Sequence, residues 1–453
     1  MRNKIYDVVV IGAGTAGLSA ISEIKKVTSN FLLINEGEYG TTCARVGCMP
    51  SKTLIQVANE FHTFKNLSKK GIKGTEHLKV NSAVVMKHVR SLRDRFVKGV
   101  LEETFKLGNK SISGGPRFLE PNVIEINNKI IHTKQTIIAS GTSPEFPLEW
   151  NAFANRIVTT DQLYELDEFP ESMATLGLGP VGIEMGQALS RLGVKMTGIG
   201  RGKGVAGLTD PLVNEMANKI LGDEFPIERD VEAKLSEDKK GLRISGGKKS
   251  FAVEKVLASL GRQPNLKSLG LKEMGVNFNE HGIPAYSKNT LKLNGFPIFI
   301  AGDVRDCRPV LHEADDDGRF AGINSLQAHP QSFKRRVPMA ITFCEPNIAI
   351  VGQSFSELSD RSFIIGKARL NEGRSIILSQ DGLLRIYGDP RTGILLGAEL
   401  IAPQGEHLAH FIASLIHQRM TVFEALKLPF YHPVIEEGLQ EALENLSKKV
   451  RTR

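Results

Sequence analysis

The chain has 453 residues, of which 41% are hydrophobic and 24% charged, and this ordinary composition excludes a disordered, collagen-like or disulfide-scaffold protein. Its net charge of +8 is spread along the chain, and one Trp and six Tyr give no basic-aromatic pattern, so we expect no nucleic-acid partner. Without a run of about 18 apolar residues, and with Asp7 interrupting the N-terminal apolar stretch as no export signal would, we expect a cytoplasmic protein without a membrane span.

The first predicted element is a buried parallel strand at residues 5–11, which are mostly β-branched and apolar. Three glycines follow it with the spacing G-x-G-x-x-G, at Gly12, Gly14 and Gly17. A helical pattern and a second apolar run come next, and Glu36 ends that run 24 residues after Gly12. Such glycines let a pyrophosphate approach the N-terminus of the helix, and the acid can accept a hydrogen bond from a ribose hydroxyl. The pattern therefore predicts a dinucleotide-binding site.

The same pattern recurs in the middle of the chain. Residues 173–176 form an apolar run, and residues 194–199 form the next one after a helical stretch. Three more glycines lie between these runs with the same spacing, at Gly177, Gly179 and Gly182. Two such units in one chain predict two nucleotides bound side by side, which is far more specific than one glycine motif.

The second unit differs from the first where the ribose-binding acid is expected. The strand ends at Gly200, and Arg201 follows it. Without a carboxylate to hold a free 2′-hydroxyl, and with a basic group nearby, this site favours NADP(H) over NAD(H). The alternative that Arg201 is simply a solvated side chain remains open.

Further along, residues 137–141 predict a short buried strand that reaches Gly141. Residues 257–264, which include Gly261, and residues 298–304, which include Asp303, repeat the pattern of a strand followed by glycine. After residue 338 the glycine motifs stop, and alternating strands and helices predict a separate α+β domain. At about 150 residues per domain, the length also favours three domains. We predict domains at residues 1–146 with 267–333, at 147–266 and at 334–453, in an α/β fold with two Rossmann-like units.

Two of the four cysteines, Cys43 and Cys48, lie close together after the first acidic strand. Five residues of ideal helix rise about 7.5 Å, which exceeds the roughly 4.4–6.8 Å between the Cα atoms of a disulfide. A bridge between them therefore needs a distorted turn, which Gly47 would permit. Strain makes such a bond easy to reduce, which suits a redox centre. Zinc and inert thiols are the alternatives, although no second Cys or His pair is near to complete four zinc ligands. We therefore expect no metal, and we expect the other two cysteines, Cys307 and Cys344, to be structural.

Taken together, these segments resemble the class I pyridine nucleotide-disulfide oxidoreductases, the flavoenzyme family of dihydrolipoamide dehydrogenase and glutathione reductase. The resemblance covers nearly the whole chain. Six motifs carry it in the family's order, at residues 12–17, 43–52, 177–184, 261–265, 301–303 and 432–437.

The resemblance implies FAD on the first unit, a nicotinamide cofactor on the second and a homodimer formed by a C-terminal dimerisation domain. The FAD site and the nicotinamide site would each contain the glycines of their own unit, together with other residues. The FAD and nicotinamide sites would thus include Glu36, Lys52, Gly141, Arg201, Gly261 and Asp303, with Asp303 bonding the ribityl chain.

The resemblance also implies catalytic roles. Cys48 would be the thiolate against the flavin, and Cys43 would exchange with the substrate disulfide. Lys52 and Glu184 would pair near the flavin N5 atom. The remaining catalytic pair would reach across from the other subunit, with His432 holding the proton that substrate thiols exchange and Glu437 orienting it.

The substrate follows mostly by exclusion. No cysteine follows Cys344, so the C-terminal cysteine pair of mercuric reductases is missing. We therefore expect an activity like that of dihydrolipoamide dehydrogenase, on a small dithiol or disulfide or on a lipoyl-bearing protein. An NADPH-dependent reductase of another disulfide and a flavin-binding redox sensor without turnover are the alternatives. Pro180 departs from the mobile side chain that family members usually carry in the nicotinamide pocket.

Overall fold

The computed structural model describes residues 4–239, 241–247, 249–305, 308–378 and 380–451. They form two compact units, each built from separate stretches of the chain. The first unit contains the residues up to Pro50, then Val89–Glu145 and Gly261–Lys334, and the second contains Ser51–His88, Phe146–Leu260 and the residues from Arg335 onward.

The first unit is built on a seven-stranded sheet. Six strands follow one another across it in the order Ser111–Ser113, Phe31–Asn35, Ile5–Ile11, Lys129–Ile138, Val123–Ile126 and Arg117–Glu120, and Ile298–Ile300 pairs with the fourth of them. The strands around Ile5–Ile11 are parallel, whereas the last two pair antiparallel. Every residue of Phe31–Asn35 is buried, as expected for a parallel strand covered on both faces.

Helix Thr15–Ile24 follows the first glycine turn and packs against helix Leu311–Asn324. The two helices pack closely because glycines of the second helix lie against the backbone of alanines in the first. A Cβ at Gly318, for example, would overlap the carbonyl oxygen of Ala16. A two-stranded ribbon of Thr142–Pro144 and Arg262–Pro264 completes this unit. Asn265 fastens the ribbon, because its side-chain amide donates to the carbonyl oxygen of Ser140 at 3.0 Å.

The second unit begins with a parallel sheet of five strands. Their order is Ile227–Arg229, Lys195–Gly200, Ser172–Leu176, Lys255–Ala258 and Ile157–Thr159. Helices Pro180–Arg191 and Pro211–Gly222 accompany it. A three-stranded antiparallel sheet packs its apolar side onto the same core, with strands Lys234–Asp238, Gly241–Gly246 and Lys249–Val253.

The C-terminal part of the second unit is a five-stranded antiparallel sheet. Its strands run in the order Met339–Thr342, Asn347–Gly352, Leu395–Ala402, Leu383–Gly388 and Ile364–Arg369. Helices Gly405–His417 and Glu437–Ser447 cover it, and their buried leucines, including Leu408, Leu439 and Leu443, fill one core with the strands.

The remaining α-helices fall at the connections, at Thr42–Arg45, Cys48–Asn66, Ser82–Phe105, Thr160–Leu163, Arg374–Leu378 and Val422–Ala425. Short 3₁₀ turns lie at Leu67–Lys70, Thr75–His77, Gly108–Lys110, Leu148–Phe153, Lys267–Leu269 and Ser356–Leu358. Among the described residues, no helix is both long and apolar enough to cross a membrane.

This architecture confirms the predicted fold class of two Rossmann-like units and a C-terminal α+β segment. The three domain boundaries remain a prediction. One strand prediction was too long, because the strand expected to reach Gly141 ends at Ile138. The backbone turns away by Gly141, whose φ is +65°, a conformation that glycine adopts without steric cost.

Candidate functional site

The first glycine turn is compact on one side and open on the other. Gly12 has φ of +109°, and a Cβ there would overlap the carbonyl oxygen of Ala139. A Cβ at Gly17 would overlap the carbonyl oxygen of Gly12, whereas one at Gly14 would meet no protein atom within 4 Å. The backbone at Gly14 is therefore accessible at a helix N-terminus, where an anionic pyrophosphate binds.

Asn35, which the sequence analysis missed, fixes this turn from the end of the second strand. Its side-chain oxygen accepts from the amide of Ala13 at 2.9 Å, and its side-chain amide donates to the carbonyl oxygen of Gly37 at 3.1 Å. Glu36 follows it, exposed, with its carboxylate over Gly115. The one available signal in the sequence was a short amide-bearing side chain directly before Glu36, the acid expected to bind a ribose.

Asp303 lies at the carboxyl end of strand Ile298–Ile300. Burial raises the pKa of its carboxyl, an effect that the positive charge of Arg262 partly offsets. Next to it, Arg305 forms a buried ion pair with Asp317, which also accepts from the amide of Gly302 at 3.1 Å. Arg305 and Asp317 thus stabilise the backbone that carries Asp303, a role that the sequence did not reveal.

These features of the first unit fit FAD. The backbone near Gly14 is open to a pyrophosphate, and the exposed Glu36 carboxylate can accept from a ribose hydroxyl. Among the described residues Asp303 has no hydrogen-bond partner, and a partly buried carboxyl of this kind suits a polyol chain. Gly141 and Gly261, with φ of +65° and +114°, lie in the same unit, and a Cβ at either position would meet no protein atom within 4 Å.

The second glycine turn repeats this arrangement. A Cβ at Gly177 would overlap the carbonyl oxygen of Ser259, one at Gly182 would overlap that of Gly177, and one at Gly179 would meet nothing within 4 Å. Pro180 is the first residue of the helix, a position where no amide donor is needed. A cavity of about 280 Å³ lies beside this turn and is lined by Gly179, Gly200 and Arg201 among others.

Two arginines lie on or directly after the two strands Lys195–Gly200 and Ile227–Arg229, at one edge of the parallel sheet. Arg201 follows strand Lys195–Gly200, and its side chain is 74% exposed, with Glu232 at 4.0 Å. Arg229, which the sequence analysis missed, pairs in register with Gly200 on the neighbouring strand. Its guanidinium donates to the carbonyl oxygen of Lys203 at 2.9 Å and thereby anchors the loop that carries Arg201.

The two cysteines lie on either side of a helix break. Helix Thr42–Arg45 contains Cys43, and the next helix begins at Cys48. A Cβ at Gly47 would lie 3.2 Å from the Cα of Cys43, so the chain folds back tightly over that residue. Cys43 is half-buried and Cys48 exposed. This segment has the non-helical turn that a bridge between them requires.

Lys52 and Glu184 form an ion pair in the second unit. The Lys52 Nζ atom lies 3.0 and 2.8 Å from the two carboxylate oxygens of Glu184, whose side chain is 6% exposed. The amide of Phe343 also donates to Glu184 at 2.9 Å, and the Phe343 ring lies 4.6 Å from Nζ. A largely buried carboxylate thus holds a partly exposed ammonium group.

His432 and Glu437 form another polar pair within the second unit. His432 Nδ1 lies 2.8 Å from Glu437 Oε1, and the amide of Val434 donates to the other carboxylate oxygen at 3.1 Å. Hydrogen bonds from His432 and then from Val434 lower the pKa of Glu437. The His432 side chain is 78% exposed, so its ring is available to a molecule outside this unit.

Cys344 is buried, and burial raises the pKa of its thiol to about 12. This is the inert behaviour expected of a structural cysteine. Cys307, for which the sequence analysis predicts the same role, lies outside the described residues. Within the described part of the chain, no three His, Cys, Asp or Glu side chains are grouped as a metal ion requires.

Two family models match the chain. Residues 6–322 match the model of the pyridine nucleotide-disulphide oxidoreductases, and residues 338–443 match the dimerisation domain of the same enzymes.

Similar proteins extend over nearly the full length. A dihydrolipoyl dehydrogenase of Thermus scotoductus is 28% identical, with 98% of each chain covered, and one of Geobacillus stearothermophilus is 26% identical over 97% of this chain and 95% of its own. A mercuric reductase of Bacillus cereus is 26% identical over 99% of this chain and 72% of its own. Two solved structures share the fold. The HOCl-induced flavoprotein disulfide reductase RclA of Escherichia coli has a TM-score of 0.82 and is 21% identical, over 98% of this chain and 100% of its own. LpdA of Mycobacterium tuberculosis has a TM-score of 0.84 and is 21% identical, over 98% of this chain and 100% of its own.

Proposed function

The chain belongs to the pyridine nucleotide-disulphide oxidoreductase family, and on this premise we propose that Cys43 and Cys48 are its redox-active pair. The enzyme exchanges two electrons between a nicotinamide cofactor and a dithiol or disulfide substrate. FAD, when bound, supplies the electron relay between the nicotinamide and the cysteines. The proposed activity is that of a dihydrolipoamide dehydrogenase, on a small dithiol or a lipoyl group.

The observation that carries this proposal is the turn at Gly47. It brings the chain back over Cys43 directly before Cys48 begins the next helix. A bridge across such a distorted turn would be strained and therefore easily reduced, as catalysis requires. The different exposure of the two thiols supports different roles, with Cys43 exchanging with substrate and Cys48 facing the flavin.

In the oxidising direction, the substrate dithiol loses two electrons and two protons and becomes a disulfide. One substrate thiolate attacks the sulfur of Cys43, which breaks the Cys43–Cys48 bond and leaves Cys48 as a thiolate. The second substrate thiolate then displaces Cys43 from the mixed disulfide. His432 accepts the proton of the first attacking thiol, and the proton of the second thiol passes to Cys43 as it leaves. The ionised Glu437 keeps the imidazole oriented. The reverse sequence reduces a disulfide.

In the proposed enzyme, Lys52 and Glu184 would supply a positive charge beside the flavin N5 atom. An ammonium group there stabilises the electron-rich form of the ring, and Glu184 keeps that ammonium group in place. The 3.0 and 2.8 Å contacts between the pair support this role.

The nicotinamide cofactor of this proposal is NADPH. Arg201 is exposed beside the second glycine turn and would bind the 2′-phosphate, while Arg229 holds the backbone of its loop. The pyrophosphate of this cofactor would bind at Gly177, Gly179 and Gly182. This basic edge also favours a second candidate function, an NADPH-dependent reductase of a disulfide other than lipoamide.

The proposed enzyme is a homodimer in which each site uses His432 of the partner chain. The dimerisation-domain match and the exposed ring of His432 support this arrangement. A monomer would then lack a complete site.

One experiment tests the proposal and separates its alternatives. The FAD-loaded protein is reduced anaerobically with NADH and with NADPH in turn, and turnover is then measured with lipoamide, glutathione disulfide and other small disulfides. Rapid reduction by NADPH with lipoamide turnover supports the proposal, and turnover of another disulfide alone supports the second candidate. Reduction without turnover of any disulfide would indicate a sensor and refute the enzyme.

A further inference from the structure

One face of helix Pro180–Arg191 is hydrogen-bonded to a segment that follows a strand of the C-terminal sheet. Near one end, the amide of Phe343 donates to Glu184 Oε1 at 2.9 Å. One turn later, Gln187 accepts from the amide of Glu345 and donates to its carbonyl oxygen, each at 2.8 Å. These bonds fix the helix and the segment in register.

Arg191 closes the far end of this contact. Its side chain is only 4% exposed, and its guanidinium makes a two-pronged contact with Glu224 at 2.6 and 2.7 Å. The remaining nitrogen, Nη1, donates to Glu345 Oε2 at 2.6 Å and to Asn59 Oδ1 at 2.7 Å. One buried side chain therefore joins three separate stretches of the chain.

Asn59 belongs to helix Cys48–Asn66, and Lys52 lies seven residues before it. Two turns of helix separate these residues, so they share one face. Glu184 and Arg191 are also seven residues apart on their own helix. The two helices therefore present matched pairs, with Lys52 on Glu184 at one end and Asn59 on Arg191 at the other.

The charge of Arg191 is fixed by its partners. Burial opposes the charged form, but the hydrogen bonds and charges of Glu224 and then Glu345 outweigh it and raise the pKa of Arg191. Nearby, burial and then the charge of Arg191 lower the pKa of His62. Arg191 therefore stays positively charged, while His62 is mainly neutral at neutral pH.

We propose that Arg191 is a positioning residue for the Lys52–Glu184 pair. Its fork holds helix Cys48–Asn66 and the Phe343–Glu345 segment against helix Pro180–Arg191, so that the Lys52 ammonium group stays on the Glu184 carboxylate. The inference rests on the proposed function, which puts this pair beside the flavin. Lysine cannot replace Arg191 here, because a single ammonium group does not supply a planar fork to Glu224 and further donors to Asn59 and Glu345.

Arg191→Lys in the FAD-loaded enzyme tests the proposal. We expect anaerobic stopped-flow reduction of the flavin by NADPH to slow about ten- to a hundred-fold, as a small misplacement of a positioned group does. The flavin midpoint potential should shift in the same direction as in Lys52→Met. Arg385→Lys is the matched control, because Arg385 is a similarly buried arginine of the same unit, paired with Asp210 at 3.0 Å. It should lower the melting temperature and leave both flavin measurements unchanged.

The double variant with Lys52→Met makes the test specific. If Arg191 acts through Lys52, adding Arg191→Lys to Lys52→Met should change neither the reduction rate nor the potential further. Additive effects of the two substitutions would overturn the proposal. Should Arg191→Lys not fold, Asn59→Ala removes one acceptor of the cluster and should shift the potential in the same direction by less.

A failure of the proposed function can be distinguished from a failure of the positioning role. If Lys52→Met alone leaves the reduction rate and the potential unchanged, the pair does not act on the flavin. A crystal structure of the Arg191→Lys enzyme then decides the inference. A Lys52–Glu184 separation beyond 4 Å would support the positioning role, and an unchanged contact would refute it.

Discussion

The imidazole of His432 is held by Glu437, with 2.8 Å between Nδ1 and Oε1. Because this carboxylate also accepts from the amide of Val434, it orients the ring and leaves Nε2 on the far side. A carboxylate bound to one nitrogen of an imidazole fixes the orientation of the ring, as a general base requires. The ring protrudes into solvent in the single chain, which is the arrangement expected of a residue that completes a site on another subunit.

His432→Gln is expected to abolish most disulfide turnover while leaving FAD binding and flavin reduction intact. General acid–base catalysis contributes about 10²–10⁴ in rate, and glutamine cannot exchange a proton with the substrate thiols. Steady-state turnover and anaerobic flavin reduction, measured on the same preparation, check this. Equal loss of both activities would point instead to a damaged fold.

Subunit exchange gives a second test of His432. Chains with His432→Gln and chains with Cys43→Ser are each expected to be inactive, and mixing them should restore activity. Each mixed dimer has one site with an intact Cys43 and an intact partner His432. If verified heterodimers stay inactive, His432 serves its own chain or has no catalytic role.

Arg201→Glu is expected to weaken NADPH binding far more than NADH binding. A charged hydrogen bond to a phosphate contributes about 1.5–3 kcal/mol, so the ratio of KM for NADPH to KM for NADH should rise at least ten-fold. Arg243→Glu is the control, since Arg243 lies on the three-stranded sheet in an ion pair with Asp238 at 2.6 Å. Unchanged cofactor ratios in Arg201→Glu would contradict the NADPH assignment.

Much of the first glycine turn could be predicted from the sequence because its constraints are local. A strand, three spaced glycines and a helix lie within 20 residues, and steric overlap at Gly12 and Gly17 explains why glycine is needed there. The strand at Ile5–Ile11 was predicted with its observed bounds. The same reasoning located the second turn.

The partners of Arg191 could not be predicted in this way. Its contacts join residues 33, 132 and 154 positions away in the chain, and no local pattern encodes such pairings. Arg229 was missed for a similar reason, because only the parallel register of two strands brings it beside Gly200. Both residues depend on tertiary packing rather than on motif spacing.

Cys344 is expected to resist alkylation in the folded protein. Since burial raises the pKa of its thiol to about 12, the thiol stays protonated from pH 7 to pH 9, and only the thiolate reacts. Peptide mapping after iodoacetamide treatment of the reduced enzyme should find Cys43 and Cys48 modified and Cys344 unmodified. After denaturation Cys344 should react as readily as they do. Modification of Cys344 in the native enzyme at pH 7 would contradict its assignment as an inert thiol.

The central claim is that Cys48, once its disulfide with Cys43 is reduced, becomes a thiolate in contact with FAD. Anaerobic titration of the FAD-loaded enzyme with NADPH, followed by absorbance, tests it most directly. We predict a long-wavelength charge-transfer band at two electrons per FAD in the native enzyme, already present before reduction in Cys43→Ser and absent in Cys48→Ala. A protein that binds no FAD, or a band that survives in Cys48→Ala, would contradict the account.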